Sequence, residues 1–259
     1  MFNSILRYPG GKSRAAKFIA DRFPYRTPKE IVSPFFGGGS VEFLLASRGA
    51  TIYGYDNFFS LACFWNHVKT NCHELAFLIP KYYPLTKMEF IHMQNRLVNY
   101  DVGQVCNLDC AASFFVLNRA SFSGTTLSGG MSPDHPRFNL GCIQRLKEFE
   151  KRMRNVSVEH KDFEESLALH KDKWTYCDPP YYLEKDKANL YGIRGNLHRF
   201  FDHQKLYNIL KSRDNWLLSY NDCKFIRDLY YKFHIESVQW KYGMGKEKDS
   251  KEILIRPFI

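Results

Sequence analysis

The segment Ile31-Val32-Ser33-Pro34-Phe35-Phe36-Gly37-Gly38-Gly39-Ser40, with Thr51-Ile52-Tyr53-Gly54-Tyr55-Asp56 shortly after it, decides how this chain is built. A short apolar run leads into a glycine cluster. A helical pattern through Val41, Phe43, Leu44 and Leu45 follows, and a second apolar run ends on an acid. This order predicts a strand over Ile31 to Phe35, a helix, and a strand over Thr51 to Asp56, a β-loop-α-β unit of an α/β sheet.

Outward from that unit, strands are expected at Val156 to His160, Trp174 to Asp178, Trp216 to Asn221, Phe233 to Tyr242 and Glu252 to Phe258. The last two are long and joined by a Gly/Lys-rich turn, which predicts an antiparallel hairpin at the sheet edge. Between about 66 and 155 the strand pattern gives way to helical candidates and to a glycine- and serine-rich segment at 121 to 141. That stretch is too rich in Phe, Leu and Met for a disordered linker and reads as an insertion that recognises a substrate. Residues 1–65 and 156–259 are thus expected to form the sheet domain, and 66–155 a helical subdomain with a hairpin-like loop near 119–140.

The chain has 259 residues, enough to bury a full core, and is 44% hydrophobic and 25% charged. No apolar run approaches the ~18 residues of a membrane span, and Met1 to Arg7 lack an apolar signal core, so neither a membrane role nor secretion is expected. A cytoplasmic protein follows, monomeric in solution, with pairing on a substrate left open. The cysteines, at 63, 72, 106, 110, 142, 177 and 223, show neither C-x-x-C spacing nor a disulfide-scaffold pattern. Free thiols and no metal site are expected. A net charge of +10 suits a protein that approaches a polyanion, although charge alone does not name it.

Two loops carry the chemistry. The glycine loop lies after a strand and before a helix, at the sheet edge where open α/β folds bind ligands, and Asp56 ends the next strand in position to accept ribose hydroxyls. The spacing is not that of the dinucleotide fingerprint G-x-G-x-x-G. The second loop, Trp174-Thr175-Tyr176-Cys177-Asp178-Pro179-Pro180-Tyr181-Tyr182, is a strand running into two prolines, which fix the carboxylate and carbonyls at its end. An exocyclic amine on a nucleobase is a weak nucleophile because its lone pair is delocalised. Accepting its N–H bonds through the Asp178 carboxylate and the Pro179 carbonyl favours charge developing on that nitrogen. Tyr181 offers a ring for the base to stack on.

With Arg7-Tyr8-Pro9-Gly10-Gly11-Lys12 ahead of these loops and Asp162-Phe163 between them, the chain resembles the Dam-like N6-adenine DNA methyltransferases of the D12 class, group alpha. The resemblance covers most of the chain. It implies a Rossmann-like S-adenosylmethionine-dependent methyltransferase fold with a seven-stranded mixed sheet and an inserted, mainly helical DNA-recognition subdomain. It further implies methyl transfer from S-adenosyl-L-methionine to N6 of an adenine flipped out of double-stranded DNA, as in restriction-modification systems, in a bacterial nucleoid or a phage-infected host. Asp178, Pro179, Pro180 and Tyr181 would be catalytic. Tyr8, Gly11, Lys12, Phe35, Gly37, Gly39, Ser40, Asp56, Asp162, Phe163 and Asp178 would bind the cofactor, with Asp56 at its ribose and Asp162 near its adenine. Ser33 departs from the family, which often carries an acid there. An aspartate rather than a serine before the prolines favours adenine over N4 of cytosine.

Other features compete for notice. Gly10-Gly11-Lys12-Ser13 has the tail of a phosphate-binding loop, but the first glycine of that motif falls on Leu6 and no strand precedes it. Lys12 is expected instead to reach the cofactor carboxylate or a carbonyl-rich loop. Gln144 to Asn155 reads as a helix with Leu146, Phe149 and Met153 on one face and a basic opposite face that a duplex can meet. Arg119, Ser121, Ser123, Thr125, Arg137 and Arg194 are the expected DNA contacts: the first five come from a segment resembling the family's recognition hairpin, and Arg194 from a loop spanning Lys185 to Arg199.

Overall fold

A computed structural model describes residues 4–23, 27–133, 137–183, 190–241 and 249–258. The Gly/Lys-rich turn expected at the sheet edge and residues 185–189 of the expected loop lie outside the described residues.

The deciding segment folds as β1 (Glu30–Ser33), the glycine loop, and then a helix, Ser40–Ser47. Pro34 follows the strand directly and offers no N–H to the ladder, so β1 stops short of the expected Phe35. β2 (Thr51–Asp56) lies parallel to β1, with Ile31 opposite Ile52. Counting a short first helix, α1 (Ala16–Ala20), the helix after the loop is α2, and α3 (Phe59–Thr70) leaves the end of β2. Then come α4 (Cys72–Leu78), α5 (Lys87–Gly103), α6 (Leu108–Ala120) and α7 (Leu140–Phe149). The chain returns to the sheet in β3 (Val156–His160), α8 (Phe163–Leu169) and β4 (Trp174–Cys177). It closes with α9 (Asn196–Arg199), α10 (His203–Leu210), β5 (Trp216–Asn221), α11 (Lys224–Leu229), β6 (His234–Lys241) and β7 (Asp249–Arg256).

The seven strands form one sheet in the order β3-β2-β1-β4-β5-β7-β6. β1 to β5 are mutually parallel, and β7 runs antiparallel between β5 and β6. β1 and β4 are neighbours from which the chain winds in opposite directions, so a crevice opens at their carboxyl ends. Alternation along the strands sends side chains to two apolar layers. Tyr176, Leu217 and Leu254 join the layer that holds α1, α2, α3 and α6, whereas Cys177, Leu218, Ile253 and Ile255 join the layer against α10 and α11.

The expected division after residue 65 falls inside α3, whose Trp65 is fully buried and donates its indole N–H to the Gly37 carbonyl at 2.9 Å. Ile31 and Phe36 of the sheet half share one apolar cluster with Phe114 and Phe115 of α6. α6 is buried from Cys110 to Ala120, and Asn107 caps it by accepting from the Cys110 N–H at 2.8 Å. Its far end carries the glycine- and serine-rich segment to the N-terminal stretch, where Asn118 accepts the Arg7 N–H at 2.9 Å and donates to the Arg7 carbonyl at 2.8 Å. No helix among the described residues is long and apolar enough to cross a membrane.

Candidate active site

A cavity of about 420 Å³ opens at the carboxyl ends of β1, β2 and β4. Tyr8 to Lys12, the loop Pro34 to Ser40, Asp56, Asp162, Phe163 and Asp178 to Tyr181 all line it. Every residue expected to bind a cofactor or the target base therefore faces one space, although β1, β4 and the N-terminal segment are far apart in sequence.

The glycine loop forms one wall. Gly39 caps α2 in the left-handed region at φ 68°, where a side chain would be strained, and a Cβ there would lie 2.6 Å from the Phe43 ring. A Cβ on Gly37 would lie 2.8 Å from the Tyr8 ring. Phe36 is the wedge behind the loop: its ring meets Phe43 and Trp65 edge-on and would stand 2.3 Å from a Cβ at Gly54. Asp56 fixes the bend, accepting the Gly37 N–H and the Phe58 N–H, each at 2.9 Å. Burial raises the Asp56 carboxyl to about 6, against the two backbone N–H groups that favour its charge. Phe35, Phe163 and Phe201 make an aromatic wall, with Phe35 and Phe163 stacked at 5.7 Å and Phe201 at 5.4 Å from Phe163. Asp162 caps α8 by accepting from the Glu165 N–H at 2.9 Å. On the opposite side Tyr8 stacks on Tyr191 at 5.5 Å, and the Tyr191 hydroxyl donates to the Pro9 carbonyl at 3.0 Å.

β4 ends at Cys177, one residue before the expected Asp178, and releases the aspartate into the cavity. Lys12 Nζ donates to both Asp178 oxygens at 2.8 Å and to the Gly10 carbonyl at 2.9 Å, and Ser219 Oγ donates to Asp178 Oδ1 at 2.8 Å. Lys12 was expected at the cofactor carboxylate or a carbonyl-rich loop; it does meet a carbonyl, but its charge is spent on Asp178. Burial opposes that charge, and Asp178 and Glu252 more than offset it, so Lys12 is held above its ordinary pKa. The ammonium also lies 4.9 Å from the centre of the Tyr181 ring. Burial, then Asp178 and Glu252, pushes the Tyr181 phenol well up, so it stays neutral.

Three features escaped the sequence. Ser33 Oγ donates to Glu42 Oε1 at 2.7 Å, so the end of β1 carries a carboxyl after all, supplied by α2. Asn221 holds the loop beyond Asp178 with two bonds to the Tyr182 backbone, accepting its N–H at 3.0 Å and donating to its carbonyl at 2.9 Å. Phe122, 67% exposed, stands where the glycine- and serine-rich segment leaves α6, next to the bridge between Ser121 and Met131. The first two depend on partners in different elements. The aromatic character of the Phe122 stretch is legible in the sequence, but the exposure of its ring is not.

The expected DNA contacts divide. Arg119 is 7% exposed, its Nε donating to the Arg137 carbonyl at 2.9 Å and its Nη1 to the Ile5 carbonyl at 3.2 Å. Ser121 is buried and accepts the Thr126 N–H at 3.0 Å. Arg119 braces the segment by supplying donors to carbonyls of the N-terminal segment and the loop, and Ser121 by supplying an acceptor to Thr126. Ser123 and Thr125 are half-buried, and Arg137 and Arg194 are exposed. On α7 and the turn after it, Leu146, Phe149 and Met153 are buried while Arg145, Lys147, Lys151, Arg152 and Arg154 are exposed, the expected two-faced arrangement.

The expectation of free thiols throughout is corrected. Cys63 of α3 and Cys106 are joined by a disulfide across 43 residues, with His67 Nδ1 at 3.7 and 3.8 Å from the two sulfurs. Spacing rules look for near neighbours and pass over such a pair. Cys72, Cys110, Cys142, Cys177 and Cys223 are free.

The strand order, with a glycine loop and an acidic proline loop entering one crevice, defines a Rossmann-like methyltransferase fold. The family of D12 class N6 adenine-specific DNA methyltransferases matches residues 8–244, and the chain belongs to it: it is a DNA adenine methyltransferase. It is also 25% identical over 275 aligned positions to the Type II methyltransferase M.MjaIII of Methanocaldococcus jannaschii, covering 96% of this chain and 94% of that protein.

Proposed function

We propose that this enzyme uses S-adenosylmethionine and acts on an adenine rotated out of double-stranded DNA into the crevice beside Asp178. The observation that carries the reading is that one cavity holds both a cradle for a nucleoside and a fixed acid. The cradle suits the cofactor on three counts. The glycine loop leaves room that side chains would fill, the Phe35–Phe163–Phe201 wall suits an adenine ring, and Asp56 sits at the end of β2 beside the loop where a ribose would lie. Tyr8, Gly11, Lys12, Ser40 and Asp162 complete the lining. Bound there, S-adenosylmethionine supplies an electrophilic methyl group.

The protein's part is positioning. Asp178 is held from two sides by Lys12 and Ser219, and its Oδ2 needs only to exchange the lysine donor for an amine N–H. Pro179 and Pro180 keep the neighbouring carbonyl in place, and Asn221 anchors the chain just beyond, so the amine is presented in one orientation. The Tyr181 ring, kept neutral, forms a face for the base. Extrusion of the base is required because N6 of a stacked, paired adenine cannot meet a methyl donor in line. Residues 66–155 would form the recognition subdomain. Its segment at 121–133, tied to α5 by Gln94 Nε2 donating to the Thr126 and Gly129 carbonyls at 2.7 and 2.8 Å, would present Phe122, Ser123 and Thr125 to the duplex, with Arg137 and Arg194 at the phosphates.

Incubating the enzyme with methyl-labelled cofactor and either duplex DNA or RNA, then separating the nucleosides, tests this reading. Label is expected in N6-methyladenine from DNA. The Asp178→Ala variant is expected to lose at least about 10³-fold in rate while retaining cofactor affinity. Label in cytosine or RNA, or an active Asp178→Ala enzyme, would sink it.

A further inference from the structure

We propose that Glu42, with Ser33 behind it, forms a cation subsite in the cavity that takes the primary ammonium of the cofactor's amino-acid part. The proposal rests on the cofactor reading above.

Glu42 is 3% exposed, yet it lines the cavity beside Gly11, Lys12, Tyr176 and Asp178. Among the described residues no salt bridge reaches it. Lys12 is the nearby basic group, and an ammonium has three donors. Those donors are directed to the Gly10 carbonyl and the two oxygens of Asp178. The remaining groups that face Glu42 are the Asp178 carboxylate, the neutral Tyr176 phenol of β4, the Ser33 hydroxyl of β1 and its own backbone N–H. Neither of the first two stabilises a second negative charge.

The other buried acid of the glycine loop, Asp56, differs. Both of its oxygens accept backbone N–H bonds. Glu42 is therefore the buried carboxyl in this lining whose ionised form awaits a partner from outside. Burial, opposed by the Ser33 bond and by its own backbone N–H, raises it to about 8, so at neutral pH it carries its proton.

A ligand cation changes the balance. A sulfonium has no N–H to donate, whereas a primary ammonium offers three, which suits a carboxyl that water does not reach. The exchange is a simple proton balance. The protonated Glu42 carboxyl meets the ammonium, the O–H bond breaks, the carboxylate and ammonium remain paired, and the proton leaves to the buffer. Affinity for such a ligand therefore rises with pH up to the point at which the free carboxyl, or the ligand's own amine near 8, deprotonates.

Calorimetric titration at pH 7 in two buffers of different ionisation enthalpy counts the protons. S-adenosylmethionine and S-adenosylhomocysteine, which share the ammonium and differ at sulfur, should each release nearly one proton. 5′-Methylthioadenosine, which lacks the amino-acid part, should release almost none. Between pH 6 and 7 the affinity for S-adenosylhomocysteine should rise about tenfold, and Glu42→Gln should lose most of that rise and the proton. Binding of S-adenosylhomocysteine without proton release overturns the proposal, as does release by S-adenosylmethionine alone or release that persists in Glu42→Gln. The wild-type count needs no variant to fold. If neither adenosyl compound binds, the cofactor reading falls and takes this subsite with it, a different result from binding without a proton.

Discussion

At the cavity Lys12 is 4% exposed and spends its charge on Asp178, whereas at the end of α6 Arg119 is 7% exposed and spends its charge on the carbonyls of Ile5 and Arg137. Arg137 and Arg194, close to that second region, stand in solvent. Cations alike in sequence thus have three destinations. One buried against a carboxylate holds an acid in place. Another, buried against carbonyls, serves as a brace, and burial pulls Arg119 down to about 10. The exposed ones remain available to phosphates. What a cation meets, more than its presence in a motif, decides its work.

The sharpest way to break this contrast is Lys12→Met. It should leave Asp178 with Ser219 as its remaining donor and lower single-turnover methyl transfer by about 10²–10³-fold, while thermal stability changes little by comparison. Were the rate unaffected, Lys12 would be a brace like Arg119. Conversely, Arg119→Ala leaves buried carbonyls without donors and should cost about 2–3 kcal/mol in denaturant unfolding, where an arginine that touches only DNA would cost nothing.

Glu42 extends the contrast to acids. An unfolded glutamate ionises near 4.3, but the folded Glu42 keeps its proton to about 8. Over that window the folded state binds more protons than the unfolded one, so stability of the ligand-free enzyme falls as pH rises. Between pH 6 and 8 the expected loss is about 2 kcal/mol, or roughly 5 °C in melting temperature, and Glu42→Gln should flatten that slope. An equal slope in both proteins would refute a buried neutral Glu42. The smallest effect belongs to the exposed group. Arg194→Ala should leave melting unchanged, weaken DNA binding a few-fold and reduce the salt dependence by about one phosphate, as read by titration at several salt concentrations.

Much of the frame was legible because it is local. β2, β3 and β5 fall where alternation and punctuation placed them, and β1 and β4 differ from expectation at the residues beside Pro34 and Asp178, where chain geometry overrides apolar pattern. The two loops were legible for the same reason, since glycine and proline write their conformations directly into sequence. The Lys12–Asp178 pair joins residues 166 positions apart, and the Ser33–Glu42 and Asn221–Tyr182 bonds also link different elements. No periodicity reports such meetings. The inward orientation of Arg119 was hidden for a related reason: a basic residue in a polar, glycine-rich stretch has the same letters whether it points out or in.

Phe36 bears on how this enzyme can change over generations. Its ring occupies the space that Cβ atoms at Gly39 and Gly54 would need, so the three positions are coupled, and none can drift alone. Alanine at 54 is barred while Phe36 is present, and a smaller residue at 36 removes that barrier but leaves Trp65 and Phe43 unsupported. Lineages that alter the glycine loop must therefore cross a valley of poorly packed intermediates, whereas an exposed position such as Phe122 can vary by itself. Such an asymmetry would let target preference diversify while the methyl-transfer machinery stays put.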